Sequence, residues 1–260
     1  MSTNAKITVV DLAGVVYSSG KVFDGLSTGR LDTENFLRSG SLDGVTSRSD
    51  LALLKDLRDV AQFVIDHVGD PIDGSYVCAV NATLTRSGAL HPGDLRTADQ
   101  AIGVNTRFGR HEPPALTDAG LQQLLDVSVQ GRSPLEGALT LFVALAKAQP
   151  FEDGNKRTAL FAANGLLLAA NTGTLLSIPV DEHDPSVADR FNELLARAYI
   201  HGETSELKDM MRTQGVLQLD KDSLRPSPAS DNRSRRLRTA DPLDSTSTPL
   251  RSEPGPDLTP

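Results

Sequence analysis

The stretch Lys147–Leu160 (KAQPFEDGNKRTAL) constrains this chain more than any other. It separates two helical patterns. Before it, Ser133-Pro134 opens a helix whose positions Leu135, Ala138, Leu139, Leu141, Phe142, Leu145 and Ala146 make one apolar face. Pro at the first turn and Glu136 beside it suit a helix N-terminus. After it, Ala159–Ala170 is apolar almost all round, which marks a helix buried at the centre of a core. The helical patterns on both sides of this stretch suit a mainly α-helical fold with this helix at its centre.

Chemistry gathers where the second helix begins. Gly154 frees the backbone, and Asn155, Lys156 and Arg157 start the helix. A helix N-terminus carries unpaired N–H groups and the positive end of the dipole, a natural seat for phosphate. Lys156 and Arg157 add formal charge there, and the Arg fork suits phosphate oxygens. Asp153 beside such a seat is a sensible magnesium ligand, because magnesium usually takes one or two carboxylates plus substrate phosphates. These residues alone read as a nucleotide-phosphate site.

The same stretch resembles the signature of the Fic/Doc (Fido) family, HxFx(D/E)GNxRxxR. Gln149, Pro150, Phe151, Glu152, Asp153, Gly154, Asn155, Lys156 and Arg157 follow that pattern, with two departures. Gln149 stands where the family has histidine, and Leu160 stands where it has its last arginine. The resemblance implies a Fic-type helical bundle with a small β-hairpin flap. It also implies a reaction: transfer of AMP from ATP to a Ser, Thr or Tyr hydroxyl of a target protein. Under it, Asp153 holds Mg2+, and Gly154, Asn155, Lys156 and Arg157 bind the nucleotide phosphates. Gln149 and Arg157 take the catalytic positions. A Gln amide lacks the basicity of histidine, and a positioned base contributes about 10²–10⁴ in rate, so catalysis is expected to be weakened. Lys156 in place of the usual second glycine resembles the Doc branch, which transfers phosphate. A non-catalytic nucleotide-binding regulator, for instance one half of a toxin–antitoxin pair, is the reading from another class.

The remaining chain fits around that stretch. Residues 1–26, with apolar runs at Ile7–Leu12 and Val15–Tyr17, are expected as an N-terminal arm or short β segment. Residues 27–219 form the domain. Ser27 or Thr28 would cap its first helix. In many Fic proteins an inhibitory helix reads (S/T)xxxE(G/N), and the nearest frame here is Thr28 with Asp32. A second frame ends at Glu34-Asn35 with Arg30 at the Ser/Thr position, and the alternative is an ordinary capped helix. Helical spacing of Leu53, Leu54, Leu57, Val60, Ala61, Val64 and Ile65 predicts a helix over 49–67, ended by Gly69 and Pro71. Further helices are expected over 75–85, 116–129, 187–199 and 205–211. Gly93–Arg96 (GDLR) resembles the segment that opens the family's substrate-binding region. Ile102–Pro114 resembles its flap, where Thr106, Arg107, Arg110 and His111 would meet the target, and Arg107, Arg110 and His111 would stand over the phosphates. Such a hairpin can lend its edge to an extended peptide.

Composition closes off several classes. Residues 220–260 lack aromatics and are dense in Pro, Ser, Thr and charge, so a disordered tail is expected, with an arginine cluster at Arg233, Arg235, Arg236 and Arg238. A net charge of −8 argues against a nucleic-acid partner. No apolar run reaches membrane-spanning length. The single cysteine, Cys78, cannot form an internal disulfide and fits a cytoplasmic protein. An antitoxin-like or homo-oligomeric partner is a further expectation.

Overall fold

The computed structural model describes residues 7–219 except Ala89. The tail expected over 220–260, with its arginine cluster, lies outside the described residues, as do residues 1–6 of the expected arm. Nine helices run in chain order among the described residues: α1 Ala13–Asp24, α2 Arg30–Ser39, α3 Arg48–Asp66, α4 Gly74–Ala82, α5 Asp118–Val129, α6 Pro134–Ala148, α7 Asn155–Ala169, α8 Ser186–His201 and α9 Ser205–Gln214. None is long and apolar enough to cross a membrane.

The expected bundle is present, and α7 is its axis. From Arg157 to Leu168 every residue of α7 except Leu166 is buried, against α6, α4, α3, α1 and strand β3 (Thr174–Leu176). Small residues on α7 let its neighbours close in. A Cβ at Gly165 would lie 2.4 Å from the Tyr76 hydroxyl, so glycine is what admits the α4 tyrosine. Leu160, at the signature's last position, is fully buried in this core.

Two antiparallel strand pairs complete the fold. The expected flap is β1 (Val104–Thr106) paired with β2 (Gly109–His111), in the register Val104 to His111. A second pair, β3 with β4 (Val216–Gln218), was not expected. Its strands are three residues each, too short to show a period-2 pattern. The buried Asn164 fastens β3 to α7: its amide donates to Leu176 O at 2.8 Å and its carbonyl accepts from Leu176 N at 2.8 Å.

The N-terminal expectation needs correction. Residues 13–24 are helix, not a β segment or an arm, and Val15, Val16, Tyr17, Ser18, Ser19 and Gly20 are buried. α1 packs on α2, α3 and α7, so it belongs to the same core as the signature helix. Helix α2 begins later than expected, at Arg30, with Gly29 as its N-cap and no side-chain cap. Ser27 and Thr28 instead donate to the Asp50 carboxylate of α3.

Candidate functional site

The site is built on the six-residue turn between α6 and α7. Gln149 ends α6 in the left-handed region (φ 46°), its N–H bonded to Leu145 O. That conformation costs a non-glycine residue about 1–2 kcal/mol, so its surroundings must hold it. Arg96, only 5% exposed, does so. Its Nε donates to Gln149 O at 2.7 Å, its main-chain N–H to Pro150 O at 2.9 Å, and its Nη2 to Pro113 O at 2.5 Å. The adjacent Leu95 pairs with Phe151, whose ring is fully buried. The GDLR segment therefore clamps the turn and the base of the flap together. Burial of the Arg96 guanidinium lowers its pKa from the ordinary value.

The far side of the turn is tied just as firmly. The Asn155 side chain accepts from Phe151 N at 2.8 Å and donates to Phe151 O at 2.9 Å. The Asn155 amide, expected to cradle phosphates, is bonded to the loop in this structure, at the edge of the cleft that Asn155 lines. Buried Asn81 of α4 donates to Asp153 O and to Thr158 Oγ1, both at 3.0 Å. Gly154, at φ 73°, is the N-cap of α7, and no side chain caps that end. A Cβ on Gly154 would stand 2.6 Å from Leu84 Cδ1 and 3.2 Å from Asn81 Nδ2, so only glycine makes this turn against α4.

Gln149, Asp153, Gly154, Asn155, Lys156 and Arg157 all line one cleft of about 260 Å³, walled on the other side by Phe23 and Asp24 of α1 and by Ile102–Val104 of the flap. The Arg157 side chain is 2% exposed. Its Nη1 donates to Ser87 Oγ at 2.7 Å, and its guanidinium lies 3.6 Å from Asp24 Oδ2 and 3.6 Å from Asp153 Oδ2. Among the described residues the Lys156 side chain has no hydrogen bond or close ion pair, although Asp24 and Asp153 attract its charge from a distance. Its ammonium sits 4.8 Å from the centre of the Phe23 ring. Burial, and then the neighbouring Arg157 charge, lowers the Lys156 pKa against the pull of Asp24 and Asp153. Burial also raises the Asp24 pKa, although Arg157 and Lys156 oppose the rise. A half-buried amine without a polar partner and a buried guanidinium at an uncapped helix start make a strong attractor for an anion.

Lys156 and Val104 also border a second cavity of about 490 Å³ between the flap and α8, with Thr106, Arg107, Asn192 and Tyr199 among its walls. Tyr199 is 4% exposed, and its hydroxyl lies near the Gln149 side chain with no hydrogen bond of normal geometry. Burial raises its pKa well above the ordinary phenol value.

The flap residues divide. Thr106 and Arg107 face the second cavity, with Arg107 3.7 Å from Glu193. Arg110 and His111, expected over the phosphates, border neither cavity in this structure. Arg110 turns to Glu112, Asn105 and Ala101 O. His111 stacks on Tyr199 at 4.9 Å, and its Nε2 lies 2.6 Å from Lys147 O. Those contacts fix the flap on α6 and α8. Glu152 accepts from the main-chain N–H groups of Leu90 and His91 at 3.0 and 3.3 Å.

Sequence reasoning missed Phe23, Asp24, Ser87 and Tyr199. The acid that reaches Arg157 from outside the signature is Asp24 of α1. Its signal was present: Leu12, Val15, Val16, Ser19 and Phe23 recur at helical spacing, and Asp24-Gly25 reads as a helix end.

Among the described residues, no three His, Cys, Asp or Glu side chains are grouped to hold a metal. Asp153 alone, with a carboxylate 53% exposed at the cleft, fits an ion that takes one protein ligand and completes its shell with phosphates and water.

Residues 71–167 match the family model described as "Fic/DOC family". No curated protein matches the sequence. Among solved structures, the fold is similar to a Fic domain containing signaling protein from Bacteroides thetaiotaomicron (17% identity, TM-score 0.57, covering 76% of this chain and 75% of that one). It is also similar to Fic-1 from C. elegans (18%, TM-score 0.56, 76% and 58%) and to a Fic family protein from Desulfovibrio desulfuricans (16%, TM-score 0.53, 79% and 64%). At such identities the likeness is one of fold. This chain spans less than two thirds of the last two.

Proposed function

We propose that this protein binds ATP with its phosphates at the start of α7 and transfers AMP, slowly, to a hydroxyl of a target protein. The observation that carries the reading is the pairing of buried Arg157 with the polar-unpartnered Lys156 at an uncapped helix N-terminus. The resemblance to the Fic/Doc signature, now joined by the family match over residues 71–167, supplies the reaction class.

The phosphate chain would lie in the smaller cleft, on the N–H groups of Asn155–Arg157 and the Lys156 and Arg157 side chains. The base would occupy the larger cavity, against Tyr199 and Asn192. Lys156 borders both, which is where a nucleotide would have to pass from one to the other. Asp153 would hold Mg2+, which when bound draws charge from the phosphate oxygens. The flap edge, Val104–Thr106, would receive the target segment.

Gln149 lines this cleft in place of the family histidine. Its amide can hydrogen-bond an incoming hydroxyl but cannot take its proton. Electrostatic stabilisation by Arg157 and the helix N–H groups remains, so transfer is slowed and not abolished. Gln149→His is therefore expected to raise the rate by about 10²–10⁴.

The test uses purified protein, Mg2+, a cell extract, and ATP labelled on the α- or the γ-phosphate. Label on protein from α but not γ is the expected result. Label from γ alone would reassign the site to Doc-like phosphotransfer, which Lys156 favours. ATP binding without label, from native and Gln149→His protein alike, would overturn the enzyme reading and leave a nucleotide-binding regulator.

A further inference from the structure

Asp56 is a fully buried carboxylate on α3 that reaches neither cavity. It accepts from Arg86 N at 2.9 Å, Arg86 Nη1 at 2.9 Å, Ser87 N at 2.7 Å and Ser87 Oγ at 2.8 Å. Ser87 Oγ in turn accepts from Arg157 Nη1 at 2.7 Å. The polarity of this chain has only one solution. A carboxylate has no proton to give, so the Ser87 hydroxyl must donate to Asp56, and its lone pairs are left to face Arg157. An acceptor whose own proton is engaged by a charge is a stronger acceptor.

We propose that Asp56 is a positioning residue for the phosphate site, aiming the Arg157 guanidinium through Ser87. Without this link the guanidinium would keep only one long bond, from Nη2 to Ser87 O at 3.4 Å, besides Asp24 and Asp153, both 3.6 Å away and both facing the cleft. A phosphate chain arriving in the cleft competes with those two carboxylates for Arg157. It does not compete with Ser87, which lies behind the guanidinium and outside the cleft lining. The Asp56–Ser87 link therefore keeps Arg157 in place while its other partners are exchanged.

This inference rests on the nucleotide reading above, and the experiment separates the two. Titration calorimetry on the full chain measures binding of pyrophosphate with Mg2+ and, separately, of adenosine. Ser87→Ala removes only the hydroxyl and leaves Asp56 bonded to Arg86 and to Ser87 N. It is expected to weaken pyrophosphate about tenfold, the scale of one hydrogen bond to a charged group. Adenosine binding and the melting temperature should hold. Ser87→Thr, which keeps the hydroxyl, should restore pyrophosphate binding. Asp56→Asn should follow Ser87→Ala, and Arg86→Ala should leave both probes unchanged. Unchanged pyrophosphate binding in a folded Ser87→Ala protein would overturn the proposal. So would equal losses for both probes, which would make the link a support for the fold alone. Native protein that takes up no pyrophosphate would overturn the phosphate site itself, and that is seen before any variant is made.

Discussion

Helices α6 and α7 are neighbours in sequence and in space, yet their N-termini are built for opposite ends. α6 begins with every device that closes a helix. Ser133 accepts from Glu136 N, Pro134 sits at the first turn, and the Glu136 carboxylate takes Lys208 Nζ at 2.9 Å and Arg212 Nη2 at 2.9 Å. Burial works against that carboxylate's charge, but the bonds from Lys208 and Arg212 outweigh it and hold its pKa below the ordinary value. α7 begins with none of these. Its N-cap is a left-handed glycine, its first turn has no acid, and it carries Lys156 and Arg157 where a capped helix would carry Asp or Glu. Negative charge is favourable at that end of any helix. α6 supplies its own from Glu136, whereas α7 must take it from elsewhere. In this structure Asp24 and Asp153 provide it; in the proposed complex a phosphate chain does.

Removing the cation at the open end should have the largest effect. Arg157→Ala leaves Asp24 and Asp153 facing each other across an emptied space. ATP affinity should fall by about 10–100-fold, the range of charge-assisted hydrogen bonds. Stability should fall by about 1–3 kcal/mol, because the buried Ser87 hydroxyl loses its charged donor. Arg157→Lys keeps the charge but not the fork, and should recover stability better than affinity. Calorimetry with ATP and urea unfolding read the two quantities. Equal ATP affinity in native and Arg157→Ala protein would remove the basis for calling α7 the open end.

Next is the turn itself. Gly154→Ala forces a Cβ into a left-handed position and against Leu84 and Asn81. A cost of about 2–3 kcal/mol follows from the strained φ and the overpacking together. At this chain size that is a drop of roughly 5–10 °C in Tm. ATP binding should weaken too, since the loop must shift to relieve the contact.

Asp24 is where the comparison can be sharpened with pH. It supplies to α7 what Glu136 supplies to α6, but from a separate helix and across the cleft. Asp24→Asn should raise ATP affinity about threefold to tenfold, the scale of a partly exposed ion pair released to a ligand. Burial raises the Asp24 pKa, so acidification neutralises it sooner than an ordinary carboxylate. As pH falls through that raised value, native protein should come to resemble Asp24→Asn, and the affinity ratio of the two should shrink toward one. Taking the ratio cancels the titration of ATP. The same shift has a sign for stability. The contribution is present below the unfolded pKa and is lost as pH rises through the folded one. A ratio that widens in acid would mean that Asp24 does not compete with the ligand.

Both helix starts were legible in the sequence, for different reasons. Ser133, Pro134 and Glu136 are local signals whose partners lie within one turn, and the structure repeats them residue for residue. Gly154, Lys156 and Arg157 were legible as a charged glycine turn before an apolar helix. What faces them was not. Asp24 and Ser87 lie 133 and 70 positions from Arg157, and no local pattern links such distant residues. The flap was visible as a Gly-punctuated hairpin, but which of its side chains turn inward depends on packing. His111 goes to Tyr199 and Lys147 O because α8 and α6 supply an aromatic face and a helix-end carbonyl. α1 was misread because its apolar residues come in two short runs broken by Gly14 and Ser18-Ser19. Its helical period appears only across the whole stretch.

The smallest effect falls at the closed end, and it is the control that gives the comparison its meaning. Ser133→Ala removes the cap from α6, whose bond to Glu136 N is long at 3.5 Å, so the loss belongs at the low end of the capping range, about 0.5–1 kcal/mol. That amounts to a Tm drop of roughly 1–4 °C. ATP affinity should not change, because the far end of α6 is fixed independently by Arg96 and Asn155 around the Gln149–Phe151 turn. Thermal unfolding and calorimetry on the same sample decide it. If uncapping α6 weakened ATP binding as well, strain would be passing along α6 to Gln149, and the two helix starts would have to be treated as one coupled unit.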